Sequence, residues 1–165
     1  MLMSSKNISL VSKKAIFIAL LILLSFNSTG CQDHTDSWQL VVKEPGSLTE
    51  LYAIEAAPGS TFELSYRHSV SASMVYGKFK ISEQGMIVPL TTSYSSFGPG
   101  LPLDYAEEYT IENGVITVYH RDEPREAIRL WVSDITGETI IINDLEYPLY
   151  PETSGHRLVE IYLQQ

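Results

Sequence analysis

Short segments of β-type sequence, separated by turn signals, constrain the fold of this 165-residue chain more than any other feature. Ten segments alternate apolar and polar residues or are rich in β-branched and aromatic residues, which is typical of strands. They cover residues 38–43, 51–56, 61–69, 74–82, 85–91, 108–112, 115–121, 126–133, 138–143 and 157–163. Asn113-Gly114 is a strong hairpin signal, because both turn positions need a positive φ. We therefore expect an all-β fold, a single antiparallel β-sandwich or barrel-like domain of about 9–10 strands.

The first 30 residues have the pattern of an export signal. Three lysines precede the apolar run 15–26, which is shorter than the roughly 20 residues of a membrane span. The small residues Ser28-Thr29-Gly30 then stand before Cys31, as a lipoprotein signal peptidase requires. Cys31 is the only cysteine, so it has no disulfide partner within the chain. We predict cleavage before Cys31 and acylation of this residue by diacylglycerol and palmitate; ordinary cleavage and an uncleaved anchor are the alternatives.

This processing divides the chain into a lipoprotein signal peptide (1–30), a lipidated cysteine with a polar tether (31–37) and a β domain (38–165). The mature part has 8 basic residues against 20 acidic ones, a formal net charge of −12. A negative surface of this kind disfavours nucleic acid as a partner. We expect a protein of the bacterial cell envelope, held at a membrane by its lipid and facing the periplasm or the cell exterior.

The segment 62–70, FELSYRHSV, ends in a His-Ser pair that raises the question of catalysis. Because alternate residues of a strand share a face, Tyr66, His68 and Val70 belong to the apolar side, whereas Ser69 points away from it. A Ser69–His68 dyad is therefore disfavoured, and no G-x-S-x-G elbow exists elsewhere. We interpret His68 as a half-buried histidine at a strand end, bonded to a backbone carbonyl; a ligand pocket is the alternative.

Two loops rich in glycine and proline, 93–102 with Phe97 and 146–156, interrupt the strand pattern, and loops often carry function. Arg129 lies on the same side of its segment as Trp131. We expect one of the protein's own acids to pair with Arg129, while stacking on Trp131 or an external anion are the alternatives.

The four histidines and the acidic cluster Asp104, Glu107 and Glu108 lack the spacing of known metal motifs. We interpret the cluster as a solvated acidic rim; calcium binding by these acids, or a zinc site formed by residues distant in sequence, is the alternative. Neither a metal nor a cofactor is expected.

Three motifs resemble a bacterial family called domain of unknown function 1850. They are F-x-L-x-Y-x-H-S-V at 62–70, S-F-G-P-G-L-P at 96–102 and I-R-L-W-V at 128–132. The resemblance covers roughly residues 51–163. Pro99 stands where the family usually has a small residue, and Tyr76 or Gly77 stands where it often has an acidic one.

The resemblance implies an association with TRAP-type solute transporters, in particular the TAXI subgroup, and implies no catalytic activity. Our first hypothesis is a non-enzymatic accessory that contacts the permease or its binding protein through an exposed apolar patch around Phe97 and Leu101. The second is a binding module for a small anion or carboxylate, with His68 and Arg129 in one closed pocket, and the third is a hydrolase. The candidate contact residues are Tyr66, His68, Ser69, Phe97, Gly98, Gly100, Leu101 and Arg129.

Overall fold

The computed structural model describes residues 37–101, 108–121, 123–150, 153 and 155–165. Cys31, the signal peptide, most of the tether, Asp104 and Glu107 lie outside the described residues. The described part is all-β, without a helix, and so holds no helix that could cross a membrane. Its strands are β1 (Trp38–Lys43), β2 (Glu50–Ala56), β3 (Thr61–Arg67), β4 (Met74–Ile81), β5 (Ile87–Tyr94), β6 (Glu108–Glu112), β7 (Val115–Tyr119), β8 (Ala127–Ser133), β9 (Thr139–Ile142), β10 (Leu145–Pro148) and β11 (His156–Gln164).

The strands form two open antiparallel sheets. The four-stranded sheet has the order β2-β1-β11-β8, and the seven-stranded sheet has the order β10-β9-β3-β4-β5-β7-β6. The predicted β-sandwich is therefore confirmed, and neither sheet closes into a barrel. Asn113 and Gly114 both have positive φ (51° and 79°), as the hairpin between β6 and β7 requires.

One strand, β10, was not predicted, because its residues were assigned to a loop. Asn143 and Asp144 have φ values of 53° and 61°, so they form a two-residue hairpin turn of the kind usually signalled by Asn-Gly. The turn pairs Leu145 with Ile142 and Pro148 with Thr139. Proline is tolerated here because β10 lies at a sheet edge, where one side of the strand needs no backbone donor.

The main core lies between the two sheets. It contains Leu40 and Val42 of β1 together with Phe62 of β3 and Ile140 of β9, and each of these is at most 1% exposed. Phe62 also stacks on Phe79, with ring centroids 5.1 Å apart. Apolar side chains of both sheets are buried against each other, which is the burial that stabilises a sandwich.

A second group of buried residues, the smaller cluster, consists of Val75, Tyr94, Leu101, Ile116 and Val118. Four of these residues come from β4, β5 and β7 of the seven-stranded sheet, and Leu101 comes from the loop after β5. Leu101 is 7% exposed. The loop after β5 therefore buries a leucine side chain against the part of the seven-stranded sheet that carries the smaller cluster.

The two tryptophans have different surroundings. The ring of Trp38 lies so close to Gly85 that a Cβ there would come within 2.4 Å of it. Its indole N–H is buried and meets no acceptor among the described residues. Trp131, on β8, is 64% exposed.

Candidate functional site

The candidate site is a turn between β3 and β4 together with the loop after β5. We call residues 66–73 and 97–101 the His68 corner. β3 ends at Arg67, and the chain then turns so that the His68 N–H donates to the Ser73 carbonyl (2.9 Å). The Ala72 N–H donates to the His68 carbonyl (2.9 Å), and Ala72 has a φ of 54°. The turn explains why Val70, predicted on the apolar side, is 71% exposed: the strand alternation stops before it.

His68 is 8% exposed, so it is buried rather than half-buried as predicted, and both of its ring nitrogens make hydrogen bonds. Nδ1 accepts from the backbone N–H groups of Ser71 (3.1 Å) and Val70 (3.3 Å). Because Nδ1 accepts, the neutral ring carries its proton on Nε2, which donates to the Pro99 carbonyl at 3.1 Å. The predicted bond to a backbone carbonyl is confirmed, and it joins the β3–β4 turn to the loop after β5.

The serine that contacts His68 is Ser71, which the sequence did not single out. Its Oγ lies 3.1 Å from Nδ1 and 2.8 Å from Ser73 Oγ. Ser69 is exposed and makes no hydrogen bond within the described residues. His68 Nδ1 already accepts two backbone N–H bonds, so its contact with Ser71 Oγ is typical of a side chain that caps a turn. The signal in the sequence is a serine three residues after the histidine.

Gly98 and Leu101 fix the loop against this turn. A Cβ on Gly98 would lie 2.6 Å from His68 Cε1, so only glycine lets the loop approach the ring. Gly100 has a φ of 83°, and the Leu101 N–H donates to the Gly98 carbonyl (3.3 Å). Phe97, next to the fixed segment, is 62% exposed. Leu101 was expected in an exposed apolar patch with Phe97, but it is buried because its side chain belongs to the smaller cluster.

Tyr66 completes the corner and packs partly buried against the smaller cluster. Burial, followed by the nearby negative charge of Glu138, raises the pKa of Tyr66 above its ordinary value of 10.0. Glu138 is 5% exposed and accepts a hydrogen bond from the Ser133 N–H at 2.9 Å. The phenol of Tyr66 therefore stays protonated near neutral pH and offers a hydroxyl rather than a charge.

A second histidine, His120, lies on the same sheet but outside the corner. Its Nε2 lies 2.7 Å from Thr92 Oγ1. Burial and then the charge of Arg125 lower the pKa of His120 below its ordinary value of 6.5, against the opposing charge of Glu123. His120 is therefore neutral at pH 7.

Arg129 does not belong to the His68 corner. It lies on β8 of the other sheet, directly across from Glu160 on β11. Its Nε and Nη2 lie 2.7 Å and 2.6 Å from Glu160 Oε1. The expected internal ion pair is confirmed. Because His68 is buried beside the loop and the Arg129 side chain is 68% exposed on the other sheet, the two do not share the closed pocket that the second hypothesis requires.

Glu108, the part of the acidic rim that the structure describes, is exposed. The described ranges contain no group of three or more His, Cys, Asp or Glu residues arranged to hold a metal ion.

Comparison with known proteins gives one match. The family model of a domain of unknown function, DUF1850, matches residues 62–149, which include both halves of the His68 corner. No curated protein and no solved structure matches the chain.

Proposed function

Because the chain belongs to the family of the domain of unknown function DUF1850, we propose that it is a non-enzymatic accessory of a TRAP-type solute transporter of the TAXI subgroup. In this proposal Cys31 carries the lipid anchor and the β domain acts outside the cytoplasmic membrane. Its partner is the permease or the binding protein of the transporter.

The observation that supports this proposal is the way in which Phe97 is presented. A phenylalanine that is 62% exposed is a large apolar group in water. Its neighbours are fixed by the Pro99–His68 hydrogen bond and by the close contact between Gly98 and the His68 ring. An exposed aromatic side chain on a backbone segment that is already fixed loses less conformational entropy on binding, which makes it a suitable anchor for a partner protein.

The polar groups of the corner favour a structural role over catalysis. The two ring nitrogens of His68 are engaged by backbone groups of the turn and the loop. A general base needs a free lone pair directed at a substrate proton. The corner is therefore better suited to hold a contact loop than to carry out a reaction.

The test is a mild crosslink in native membranes, followed by affinity capture of the full-length protein and mass spectrometry. We expect recovery of a polytopic permease or its binding protein, and we expect Phe97→Ala to reduce that recovery at least several-fold. Tyr109→Ala is the matched control, since Tyr109 is 50% exposed on β6 and outside the corner. Equal loss in both variants, or capture of the lipoprotein alone, would count against the proposal.

The anchor is tested separately by metabolic labelling with a palmitate analogue. We expect labelling of the wild-type chain and none of Cys31→Ser, which should leave the membrane fraction. Labelling that survives Cys31→Ser would place the lipid elsewhere and contradict the assignment.

A further inference from the structure

Strand β8 is an edge strand with a long, regular open side. The four edge strands of the described part are β2, β8, β10 and β6. Edge strands expose unpaired backbone groups, which proteins shield with bulges, charges, prolines or short strands. β2 has an irregular register and carries Glu50 and Glu55, β6 begins and ends with Glu108 and Glu112, and β10 is short and ends in Pro148. β8 has seven residues in unbroken register and no proline, and its single charged residue, Arg129, is paired with Glu160 of β11.

The end of β8 shows which of its backbone groups face the open side. The Ser133 N–H donates to Glu138 Oε2 (2.9 Å), and the Ser133 carbonyl accepts from the Gly137 N–H (2.9 Å). Both groups therefore point away from β11. In a regular antiparallel strand the direction repeats every second residue, so the backbone groups of Trp131 and Arg129 point the same way.

The open stretch has a defined length. Two residues before β8, the N–H and carbonyl of Arg125 pair with Ile87 of β5 at 2.8 Å and 2.9 Å, so the open edge begins after this bridge. Ser133 is occupied at the other end. Among the described residues, the free edge therefore consists of the backbone groups of Ala127, Arg129 and Trp131.

The side chains above this edge can pair with those of a second copy. Arg129 and Trp131 share one face of β8 and are both largely exposed. If two β8 strands meet antiparallel about Leu130, each Arg129 lies opposite the Trp131 of the other copy. The guanidinium can then interact with the indole ring twice, once on each side of the two-fold axis. The charge of Arg129 is compensated by Glu160, which reduces the repulsion between the two Arg129 side chains of the pair.

We propose that two copies of this chain pair antiparallel through β8 and join their four-stranded sheets into one continuous sheet. Arg129 and Trp131 form the backbone hydrogen-bonded pairs, with about four bonds in total. A second copy fits this edge better than an unrelated strand, because the same short sequence supplies both members of each Arg–Trp pair. The proposal is independent of the transporter partner, since Phe97 lies in the loop after β5, which belongs to the other sheet.

The first test is a disulfide crosslink in native membranes with the full chain. Leu130→Cys places two cysteines opposite each other in a non-hydrogen-bonded pair, where the Cα atoms are about 4.5 Å apart and a disulfide can form. We expect a disulfide-linked dimer at least ten times more abundant than in two controls. The wild-type chain shows how much disulfide forms through Cys31 alone. Ile128→Cys shows whether crosslinking depends on the register, because residue 128 lies opposite Val132 of the other copy and not opposite another cysteine. Equal crosslinking in all three chains, or none, would overturn the proposal.

The second test removes a backbone donor from the edge. Arg129→Pro deletes an N–H that faces outward, a position where an edge strand tolerates proline. We expect native mass spectrometry of the full chain in detergent to show wild-type dimers, and at least a tenfold lower dimer fraction for Arg129→Pro with an unchanged β-type circular dichroism spectrum. Arg129→Ala keeps the donor and should weaken the dimer less. A folded Arg129→Pro variant that stays dimeric, or a monomeric wild type, would refute β8 pairing.

Discussion

The main core and the smaller cluster bury apolar residues in different ways. The main core takes residues from both sheets, so several strands support each buried side chain. The smaller cluster consists of four residues on three strands and one leucine from a loop. That loop also carries Phe97 and is held by the Pro99–His68 bond. The difference suggests that the fold depends on the main core, whereas the proposed contact surface depends on a small and separable part of the burial.

The largest effect should come from the main core. Phe62→Ala removes a ring that is 1% exposed and stacked on Phe79. We expect the free energy of unfolding to fall by about 3–5 kcal/mol, the usual cost of deleting a buried aromatic side chain. Urea unfolding measures it, with Val70→Ala as an exposed control that should change stability by less than about 0.5 kcal/mol. A loss below about 1 kcal/mol would mean that the sheets do not pack as described.

A smaller and more local effect is expected for Leu101→Ala. The variant should lose about 2 kcal/mol, the lower end for a buried leucine, because a loop can collapse into the space more easily than a strand. Hydrogen exchange should accelerate at the amides of Val70 and Ser71, which donate to the His68 ring. If exchange accelerated equally in β1 and β11, the two regions would be one cooperative unit and the comparison would fail.

Alanine substitutions of the two loop glycines test two different requirements, the close contact of Gly98 with His68 and the positive φ of Gly100. Gly98→Ala puts a methyl group 2.6 Å from His68 Cε1 and should destabilise the protein by about 1–3 kcal/mol. Gly100→Ala meets no atom within 4 Å, but its φ of 83° is unfavourable for alanine and should cost about 1 kcal/mol. Thermal unfolding of both variants gives the order. If Gly100→Ala were the more damaging change, the loop would not be fixed by its contact with His68.

The smallest effect concerns pH. The pKa of His120 in the folded state lies below its ordinary value of 6.5, through burial and then Arg125, so the unfolded chain binds the proton first as the pH falls. Stability due to this group is therefore complete above pH 6.5 and decreases as the pH drops below it. Urea midpoints measured from pH 7.5 to 5.5 should show a shallower decline for His120→Gln than for wild type. Parallel curves would show that His120 does not contribute.

The sequence predicted the β-sandwich because the alternation of apolar and polar residues identifies a strand without knowledge of the strands that pair with it. It did not predict β10, since the Asn143-Asp144 turn reaches positive φ without the glycine that usually marks it. The bond from His68 to a carbonyl was predicted from strand position, but the contact with Ser71 depends on how the turn closes. Likewise, the burial of Leu101 depends on a loop folding over another part of the sheet, which no local pattern encodes.

The contrast between the two tryptophans gives the domain a pair of intrinsic optical reporters. Trp38, with a buried indole nitrogen and a ring packed on Gly85, should emit at shorter wavelength and resist acrylamide quenching. Trp131 should emit at longer wavelength and be quenched readily, because it is 64% exposed. With two tryptophans in the chain, Trp38→Phe and Trp131→Phe each leave a single tryptophan, whose emission can be excited selectively above the absorption of the ten tyrosines. Trp38 would then report on folding and Trp131 on contacts made by the exposed face of β8, each in an unlabelled protein.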